Sequence, residues 1–299
     1  MAEDFYTDKR QVRRSFERAA HSYDAAAVLQ REVSDRMQAR LGYIKHAPAT
    51  VLDVGAGTGY GARQLRTQYP AARVIELDLA LAMLQFGEPE KAWWKKHLPF
   101  ARSPSRAPQV CADAEAIPLA DGSVDMVWSN LTLQWCNAPD RAFADIHRVL
   151  RPDGLLMFST LGPDTLKELR QAFAGIDGHT HVNRFIDMHD LGDALVRAGF
   201  AEPVMDMEII TMTYDSVKAV MQDLKGIGAH NVTQGRQMGL MGKRKWQQVL
   251  DRYEKLRRDG RLPATYEVVY GHAWRAADKP SRLLADGRQV IEFRPRPGK

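Results

Sequence analysis

Cysteine is scarce in this chain, with 2 among 299 residues. Neither Cys111 nor Cys136 belongs to a C-x-x-C pair or stands in a histidine-rich stretch, and both lie within short apolar runs. This spacing argues against a disulfide framework and against a zinc site. We therefore expect two buried, reduced thiols, no bound metal and a cytoplasmic location.

Long apolar runs are also lacking. No uncharged apolar stretch reaches the roughly 18 residues that a membrane-spanning helix needs. The opening stretch MAEDFYTDKRQVRR is polar and charged, without the apolar centre of a secretion signal. We therefore expect neither a membrane span nor export.

A strong excess of one charge is missing too, because 42 Lys and Arg face 37 Asp and Glu, for a formal net charge of +5. Such an excess attracts acidic partners but does not require nucleic acid, which we do not expect as a partner. Hydrophobic residues make up 44% of the chain, enough for one large core or a domain with an elaborated cap.

What the chain does contain is an alternation of strand-like and helical patterns. Apolar residues at helical spacing predict two helices within 9–42, with a break near Ser22. The predicted strands that follow are 50–54, 73–78, 108–112, 124–129 and 155–160, and the predicted helices between them are 60–69, 80–87 and 139–150. This alternation is typical of a parallel sheet covered by helices on both faces.

After Thr160 the pattern becomes mainly helical, and two late strands are predicted to complete the far edge of the sheet. The predicted helices are 164–175, 188–199, 215–225 and 243–258, and the late strands are 203–214 and 264–275. A basic stretch at 88–109 is expected to form a surface excursion. We divide the chain into an N-terminal helical lid (1–45), a ligand-binding core (46–162) and a helical cap with sheet-completing strands (163–299).

The sequence VLDVGAGTGYGARQL, residues 51–65, places glycines directly after a predicted strand. Gly55, Gly57 and Gly59 would let a ligand touch the main chain at the carboxyl edge of the sheet. The dinucleotide fingerprint requires glycine where Tyr60 stands, and no lysine follows as in a P-loop. Both of these alternatives are therefore weakened.

Acidic residues follow the next strands of this pattern. Asp78 ends the second strand and is placed to accept from both ribose hydroxyls, although a helix N-cap is its other interpretation. Glu76 is the competing acid, but it falls within the strand. Asp113 and Ala114 follow the third strand, where they are placed to bind the exocyclic amine and edge of an adenine. Three such elements in order predict a nucleoside ligand.

The run from 50 to 160 resembles class I S-adenosylmethionine-dependent methyltransferases, through VLDVGAGTG, ADAEAIPLADGSVDMVWSN and HRVLRPDGLLMFST. The resemblance implies a seven-stranded, mostly parallel Rossmann-like sheet whose last strand is antiparallel, with helical cap insertions. It also implies an S-adenosylmethionine site. The implied site has the three glycines on the methionine moiety, Asp78 on the ribose and Asp113 with Ala114 on the adenine, together with Asp53, Leu79 and Asn130. For Asp53, a structural role is an equal alternative.

Nearly the whole chain resembles a narrower family, the malonyl-[acyl-carrier protein] O-methyltransferases of biotin synthesis. The likeness is carried by FERAAHSYDAAAVLQ (16–30), SNLTLQWC (129–136), STLGPDTLKELRQAF (159–173), HVNRFIDMHDLGDAL (181–195), LKGIGAHNV (224–232) and TYEVVYGHAW (265–274). This resemblance implies methyl transfer to the free carboxylate of a malonyl thioester on acyl-carrier protein. A carboxylate is already a nucleophile at neutral pH, so no general base is needed.

Candidate catalytic residues lie outside the cofactor motifs. Tyr23 is placed to close over the cofactor, and Gln134 to donate to the acceptor carboxylate beside a pocket wall formed by Trp135. His272 and the pair His230 with Asn231 are candidates for orienting the substrate. For Tyr23, Trp135 and the histidines, ordinary core packing remains the alternative.

Basic segments offer docking sites for an acidic carrier protein: 167–170, Arg184 and 242–246. Two other functions remain open. One is a methyltransferase acting on a small free acid or a quinone-type ring. The other is a methyltransferase-like assembly factor that acts on a protein.

Overall fold

The protein, described by a computed structural model over residues 6–87, 107–229, 231–232 and 241–277, is built on one seven-stranded sheet. The strands are β1 (Thr50–Val54), β2 (Arg73–Asp78), β3 (Gln109–Cys111), β4 (Val124–Ser129), β5 (Leu150–Leu161), β6 (Phe200–Tyr214) and β7 (Leu262–Arg275). Their spatial order is β3-β2-β1-β4-β5-β7-β6.

The first five strands are parallel, and β7 runs antiparallel to β5 and to β6. The expected mostly parallel sheet with an antiparallel last strand is thus confirmed. The strand order changes direction between β1 and β4. From β1 the chain adds β2 and β3 on one side of β1, and it then adds β4 and β5 on the other side. In open α/β sheets, such a switch point at the carboxyl ends of the strands is where ligands bind.

Helices cover both faces of the sheet because strands such as Val51–Val54 are buried on both sides. The helices are α1 (Lys9–Ala26), α2 (Val28–Leu41), α3 (Tyr60–Gln68), α4 (Leu81–Phe86), α5 (Pro139–Val149), α6 (Lys167–Phe173), α7 (Met188–Arg197), α8 (Val217–Gly226) and α9 (Lys243–Glu254). One core forms between the sheet and α2, α3, α6, α8 and α9. The opposite core is formed with α5 and α7.

Three expectations about local structure are wrong. The break between the first two helices falls at Ala27 rather than near Ser22. Strand β5 begins at Leu150, ahead of the Pro152–Gly154 turn signal, instead of at 155. Cys111 is exposed, because β3 is a three-residue edge strand with a neighbour on one side only, whereas Cys136 is half-buried as a free thiol.

The sheet contains strands from two of the predicted parts of the chain, since β1 to β5 come from the predicted core (46–162) while β6 and β7 come from the predicted cap (163–299).

In the described ranges, no helix combines the length and apolarity needed to cross a membrane. Over the same ranges, no three His, Cys, Asp or Glu side chains gather as a metal site would require. The cytoplasmic location stays a prediction. Most of the basic stretch 88–109 lies outside the described residues.

Candidate active site

The glycine loop leaves β1 and turns beneath the end of β2. The backbone N–H groups of Gly55 and Ala56 both donate to the carbonyl oxygen of Leu77, at 2.7 and 3.0 Å. Gly55 has φ of 77°, and a Cβ there would overlap the side chain of Thr132. Glycine at this position therefore allows both the left-handed backbone and the close approach of Thr132.

Asp78 ties this loop to the next one. Its Oδ2 accepts from the Gly57 N–H at 2.9 Å, and its Oδ1 accepts from the Ala80 N–H at 2.8 Å. Burial raises the pKa of Asp78 to about 6, against the opposing effect of these two hydrogen bonds. The carboxylate is therefore charged at neutral pH and retains lone pairs for further donors.

The competing acid, Glu76, forms an ion pair and a hydrogen bond with other side chains. Its Oε1 is 2.6 Å from the Arg66 guanidinium, and its Oε2 accepts from the Gln109 side chain at 2.9 Å. Of the two acids on β2, the one that lines the cavity beside the loop is Asp78.

A cavity of about 70 Å³, here called the front cavity, lies at the carboxyl ends of β1, β2 and β4. It brings together most of the predicted site residues: Tyr23, Gly55, Gly57, Asp78, Leu79, Asp113, Ala114 and Asn130. The Tyr23 ring covers the loop, because a Cβ on Gly57 would lie 3.8 Å from its Cε1. Bare backbone, carboxylate acceptors and an aromatic cover are therefore gathered in one place.

Asp113 is less available than the sequence suggested. Its Oδ1 accepts from the Lys9 ammonium at 2.9 Å and from the Glu115 N–H at 3.0 Å. Lys9 also pairs with the Glu115 carboxylate at 2.6 Å. Lys9 was missed by the sequence analysis, since no local pattern links a lysine at the start of α1 to an acid about a hundred positions later.

A second, smaller cavity of about 40 Å³, the rear cavity, lies on the other side of the loop and is lined by Asp53, Asn130, Gln30 and Arg31. Asp53 is buried, and its Oδ2 has no hydrogen-bond partner among the described residues. Burial, then the negative charges of Glu76 and Asp78, raise the pKa of Asp53 to about 8.

Asn130 is held in place by its two neighbours. Its Nδ2 donates to the backbone carbonyl of Gln30 at 2.9 Å, and its Oδ1 accepts from the Ser159 hydroxyl at 2.8 Å. Arg31, beside it, donates to the carbonyl of Asp24. Arg31 is the arginine that lines the rear cavity, and the sequence analysis did not single it out.

Tyr23 occupies the central position, since it lines the front cavity, the rear cavity and a third cavity under the cap helices. Burial, followed by the charges of Asp78 and Asp24, raises the pKa of Tyr23 far above its usual range. Its hydroxyl is therefore protonated at neutral pH and can donate a hydrogen bond but cannot serve as a base.

The third cavity, here called the cap cavity, measures about 200 Å³ and is lined by residues of α6, α8 and the segment 181–185. Four residues line both it and the front cavity: Phe16, Tyr23, Leu131 and Trp135. The rings of Phe16 and Trp135 meet edge to face, with centroids 5.3 Å apart. The cap cavity is thus separated from the front cavity by little more than a wall of aromatic side chains.

Gln134 lines the cap cavity and not the front cavity. It lies in a short 3₁₀ turn, Leu133–Trp135, that follows β4. Its Nε2 donates to the Leu131 carbonyl at 2.7 Å, and its Oε1 accepts from the Thr160 hydroxyl at 3.3 Å. One of its two amide N–H groups remains for a ligand.

Two predicted residues lie elsewhere. His272 is on β7 opposite Met157, back from the carboxyl end of β5, outside the cavities described here, and burial lowers its pKa. We therefore assign His272 no catalytic role. Gly59 is the residue just before α3, and a Cβ there would lie 3.4 Å from Glu76 Oε1, so it serves the turn and does not line the front cavity. His230 falls outside the described residues, while Asn231 lines the cap cavity.

Comparisons with known proteins agree with this geometry. A family model for a methyltransferase domain matches residues 52–158. The Bacillus subtilis YcgJ protein is 13% identical with a TM-score of 0.55, over 81% of this chain and 98% of that one. A Bacillus halodurans protein described as a methyltransferase is 18% identical with a TM-score of 0.53, over 80% of this chain and 99% of that one. These two similarities support the fold alone.

The full-length relatives are much closer in sequence. The malonyl-[acyl-carrier protein] O-methyltransferase of Laribacter hongkongensis is 66% identical over 99% of both chains. Its counterpart in Gallionella capsiferriformans is 60% identical over 97% of both. The expected enzyme class, a methyltransferase with S-adenosylmethionine as cofactor, is confirmed. This chain belongs to the malonyl-[acyl-carrier protein] O-methyltransferase family.

Proposed function

We propose that this enzyme transfers the methyl group of S-adenosylmethionine to the free carboxylate of a malonyl thioester carried on acyl-carrier protein, as the names of its relatives suggest. The resulting methyl ester would serve biotin synthesis. The observation that carries the proposal is the pair of adjoining cavities that share Tyr23 and Trp135. One offers nucleoside-binding groups, and the other is a largely apolar space beneath the cap helices.

The residues around the loop fit S-adenosylmethionine. Asp78 would accept from the ribose hydroxyls, and Ala114 would pack against the adenine. The backbone at Gly55 and Gly57 would bind the methionine moiety, whose carboxylate Arg31 is suited to balance. The chemistry that this cofactor supplies when bound is an electrophilic methyl group on a positively charged sulfur.

The protein groups then have three tasks: to bind the acceptor carboxylate, to aim one of its oxygens at the methyl carbon, and to keep water out. The remaining amide N–H of Gln134 and the Tyr23 hydroxyl would donate to the acceptor. No side chain has to remove a proton, because a carboxylate is ionised at neutral pH. Opposite charges cancel as the oxygen–carbon bond forms and the carbon–sulfur bond breaks, so an apolar, water-poor site favours the reaction.

The carrier protein would dock through exposed cations near the cap. Lys243, Arg244 and Lys245 at the start of α9 are exposed, and no ion pair is found for them within the described ranges. In contrast, Lys167 on α6 is paired with Asp164 at 3.0 Å. We therefore assign the docking charge to α9 in the first place, and to Lys167 only in the second.

The test is a methyl-transfer assay with labelled cofactor and three acceptors: malonyl-acyl-carrier protein, malonyl-coenzyme A and free malonate. We expect the carrier-bound acceptor to have by far the highest kcat/KM. Equal turnover of free malonate would favour a small-acid methyltransferase. Binding of the cofactor without methylation of any of the three acceptors would favour an assembly factor that acts on another protein.

A further inference from the structure

A fourth cavity, the outer cavity, adjoins the cap cavity. It measures about 780 Å³, and Arg170, Arg184 and His179 are among the residues that line it. Five residues line both cavities: Gln134, His181, Val182, Asn183 and Phe185. We call this shared wall the throat. A ligand that passes from the outer cavity toward Tyr23 has to pass these side chains.

One acceptor in the throat and one beside it have no donor. The side-chain Oδ1 of Asn183 is buried and has no hydrogen-bond partner among the described residues. The same holds for Oδ2 of Asp177, which lines the outer cavity next to it. Buried polar atoms are nearly always hydrogen-bonded in proteins, so an unpaired acceptor that also lines a cavity is a site where a ligand in that cavity can place an N–H or O–H group.

The throat is also held in a fixed shape. The His181 ring stacks on the Phe173 ring, with centroids 4.0 Å apart and an interplanar angle of 14°. The Nε2 of His181 is 2.8 Å from Oδ1 of Asp177, which also accepts from the His179 N–H at 3.0 Å. Val182 and Phe185 are buried and supply apolar surface. The throat is thus a passage of fixed shape, with apolar surface from Val182 and Phe185 and one unpaired acceptor, Asn183 Oδ1, in its wall.

This combination suits one part of the proposed substrate. A carboxylate or phosphate would be repelled by the unpaired oxygens of Asn183 and Asp177, so the charged ends of a carrier-bound malonyl group do not belong beside these two side chains. The pantetheine arm between those ends is uncharged and carries secondary amides, each with one N–H donor. An amide that leaves water to enter the throat needs an acceptor for that N–H.

We propose that the throat recognises the amide groups of the acyl-carrying arm, with Asn183 Oδ1 accepting an amide N–H, and that Asn183 thereby favours arm-borne malonyl groups over short thioesters. This inference rests on the proposed function. Asn183 acts in specificity and not in the chemical step, so its loss should change KM and leave kcat close to its original value.

The experiment compares two acceptors of different arm chemistry, malonyl-pantetheine and the malonyl thioester of ethanethiol, which has no amide. Asn183→Leu keeps the side-chain size and removes the acceptor. We expect this change to raise KM for malonyl-pantetheine about 3- to 10-fold, the loss of one neutral hydrogen bond, and to leave KM for the ethanethiol ester unchanged. Asn183→Asp retains an acceptor and should keep the original ratio of the two KM values.

Gln38→Leu is the matched control, because Gln38 Oε1 is likewise buried without a partner among the described residues but lies on α2 beside Gln68, away from the cavities. It should change neither KM. If Asn183→Leu is unstable by circular dichroism, Asn183→Ala, which also removes the acceptor, replaces it with the same expectation. An equal rise in both KM values, or no rise in either, overturns the inference. If the unmodified enzyme methylates no malonyl thioester, the proposed function fails and the inference falls with it.

Discussion

At the scale of single residues, Asp78 has a structural role in the glycine loop and, in the proposed function, a binding role at the cofactor. Its two oxygens fix the backbone at Gly57 and Ala80, and the same carboxylate faces the front cavity. Burial raises its pKa to about 6, which lies just below neutral pH. Below neutral pH, acidification should therefore reach the cofactor site through Asp78, since Asp53, with a pKa of about 8, is already mostly protonated at pH 7.

We predict that affinity for S-adenosylmethionine falls as the pH is lowered through about 6, because protonated Asp78 no longer offers a charged acceptor. The sign follows from the raised pKa: the charged form dominates above pH 6 and is lost below it. Asp78→Asn should weaken binding about 10- to 100-fold at pH 7.5, as hydrogen bonds to charged groups contribute about 1.5–3 kcal/mol. Calorimetric titration of the cofactor at several pH values between about 5 and 7.5 measures both effects, because this range spans the raised pKa of Asp78.

The control is the pH profile of the variant itself. In Asp78→Asn the step near pH 6 should be absent, and the thermal unfolding midpoint shows whether the loop has kept its fold. A step that persists in Asp78→Asn would assign the titration to another group and contradict the prediction.

At the scale of elements, α1 packs against the rest of the protein with some side chains and covers the cavities with others. Val12 and Ala20 are buried, while Phe16 and Tyr23 lie over the cavities and Lys9 holds the helix start to Asp113. The front and rear cavities, at about 70 and 40 Å³, are small beside the roughly 300–1,000 Å³ of typical ligand pockets. We therefore predict that α1 moves outward when the cofactor enters and serves as a lid.

We predict that removal of residues 1–25 leaves the sheet folded but lowers turnover by about 100-fold, because water enters and the reacting atoms lose their alignment. Turnover and far-ultraviolet circular dichroism measure the two parts of this outcome. Full activity of the shortened protein would show that the lid is dispensable. Loss of the fold would show that α1 serves the core instead.

Two single substitutions in α1 distinguish its role in covering the cofactor site from its role in packing against the core. Lys9→Met removes the ion pairs to Asp113 and Glu115 without shortening the helix. It should speed dissociation of the cofactor, measured by stopped flow, more than it changes stability. Tyr23→Phe keeps the ring over Gly57 and tests the hydroxyl alone.

At the scale of the whole molecule, the net charge of +5 is modest, so attraction to an acidic partner depends on where cations are exposed. Several arginines on other surfaces are paired with carboxylates, as in the pairs of Arg36 with Glu208 and Arg148 with Asp145. The start of α9 differs, because its three cations point to solvent without an ion pair in the described part of the chain. This placement is the reason for the proposed docking of the carrier protein at α9.

We predict that added salt raises KM for malonyl-acyl-carrier protein but not for malonyl-pantetheine, since exposed charges are screened beyond about 8–10 Å at ordinary ionic strength. Replacing Lys243, Arg244 and Lys245 by glutamate should raise the carrier KM several-fold and remove most of its salt dependence. Initial rates at low and high salt measure this. The same salt dependence in the triple variant would place the docking site elsewhere.

The sequence by itself determined the parts of this protein that depend on near neighbours. Apolar runs placed β1, β2 and β4 at their observed positions, and the glycine loop with Asp78 followed from those strands, because the carboxyl ends of parallel strands meet at one edge. Motifs that span a few residues can be interpreted from the sequence, because their local structure depends little on distant parts of the chain.

Only the tertiary structure decided contacts between distant positions. Lys9 occupies Asp113 from across the chain, and His272 lies back on its strand although its segment resembles the family. The exposure of Cys111 depends on β3 being at the edge, which no local pattern reveals. The throat joins the turn after β4 to the segment before α7. Such sites arise from packing, because the free energy that brings these side chains together comes from burial of the whole core and not from their own sequence neighbours.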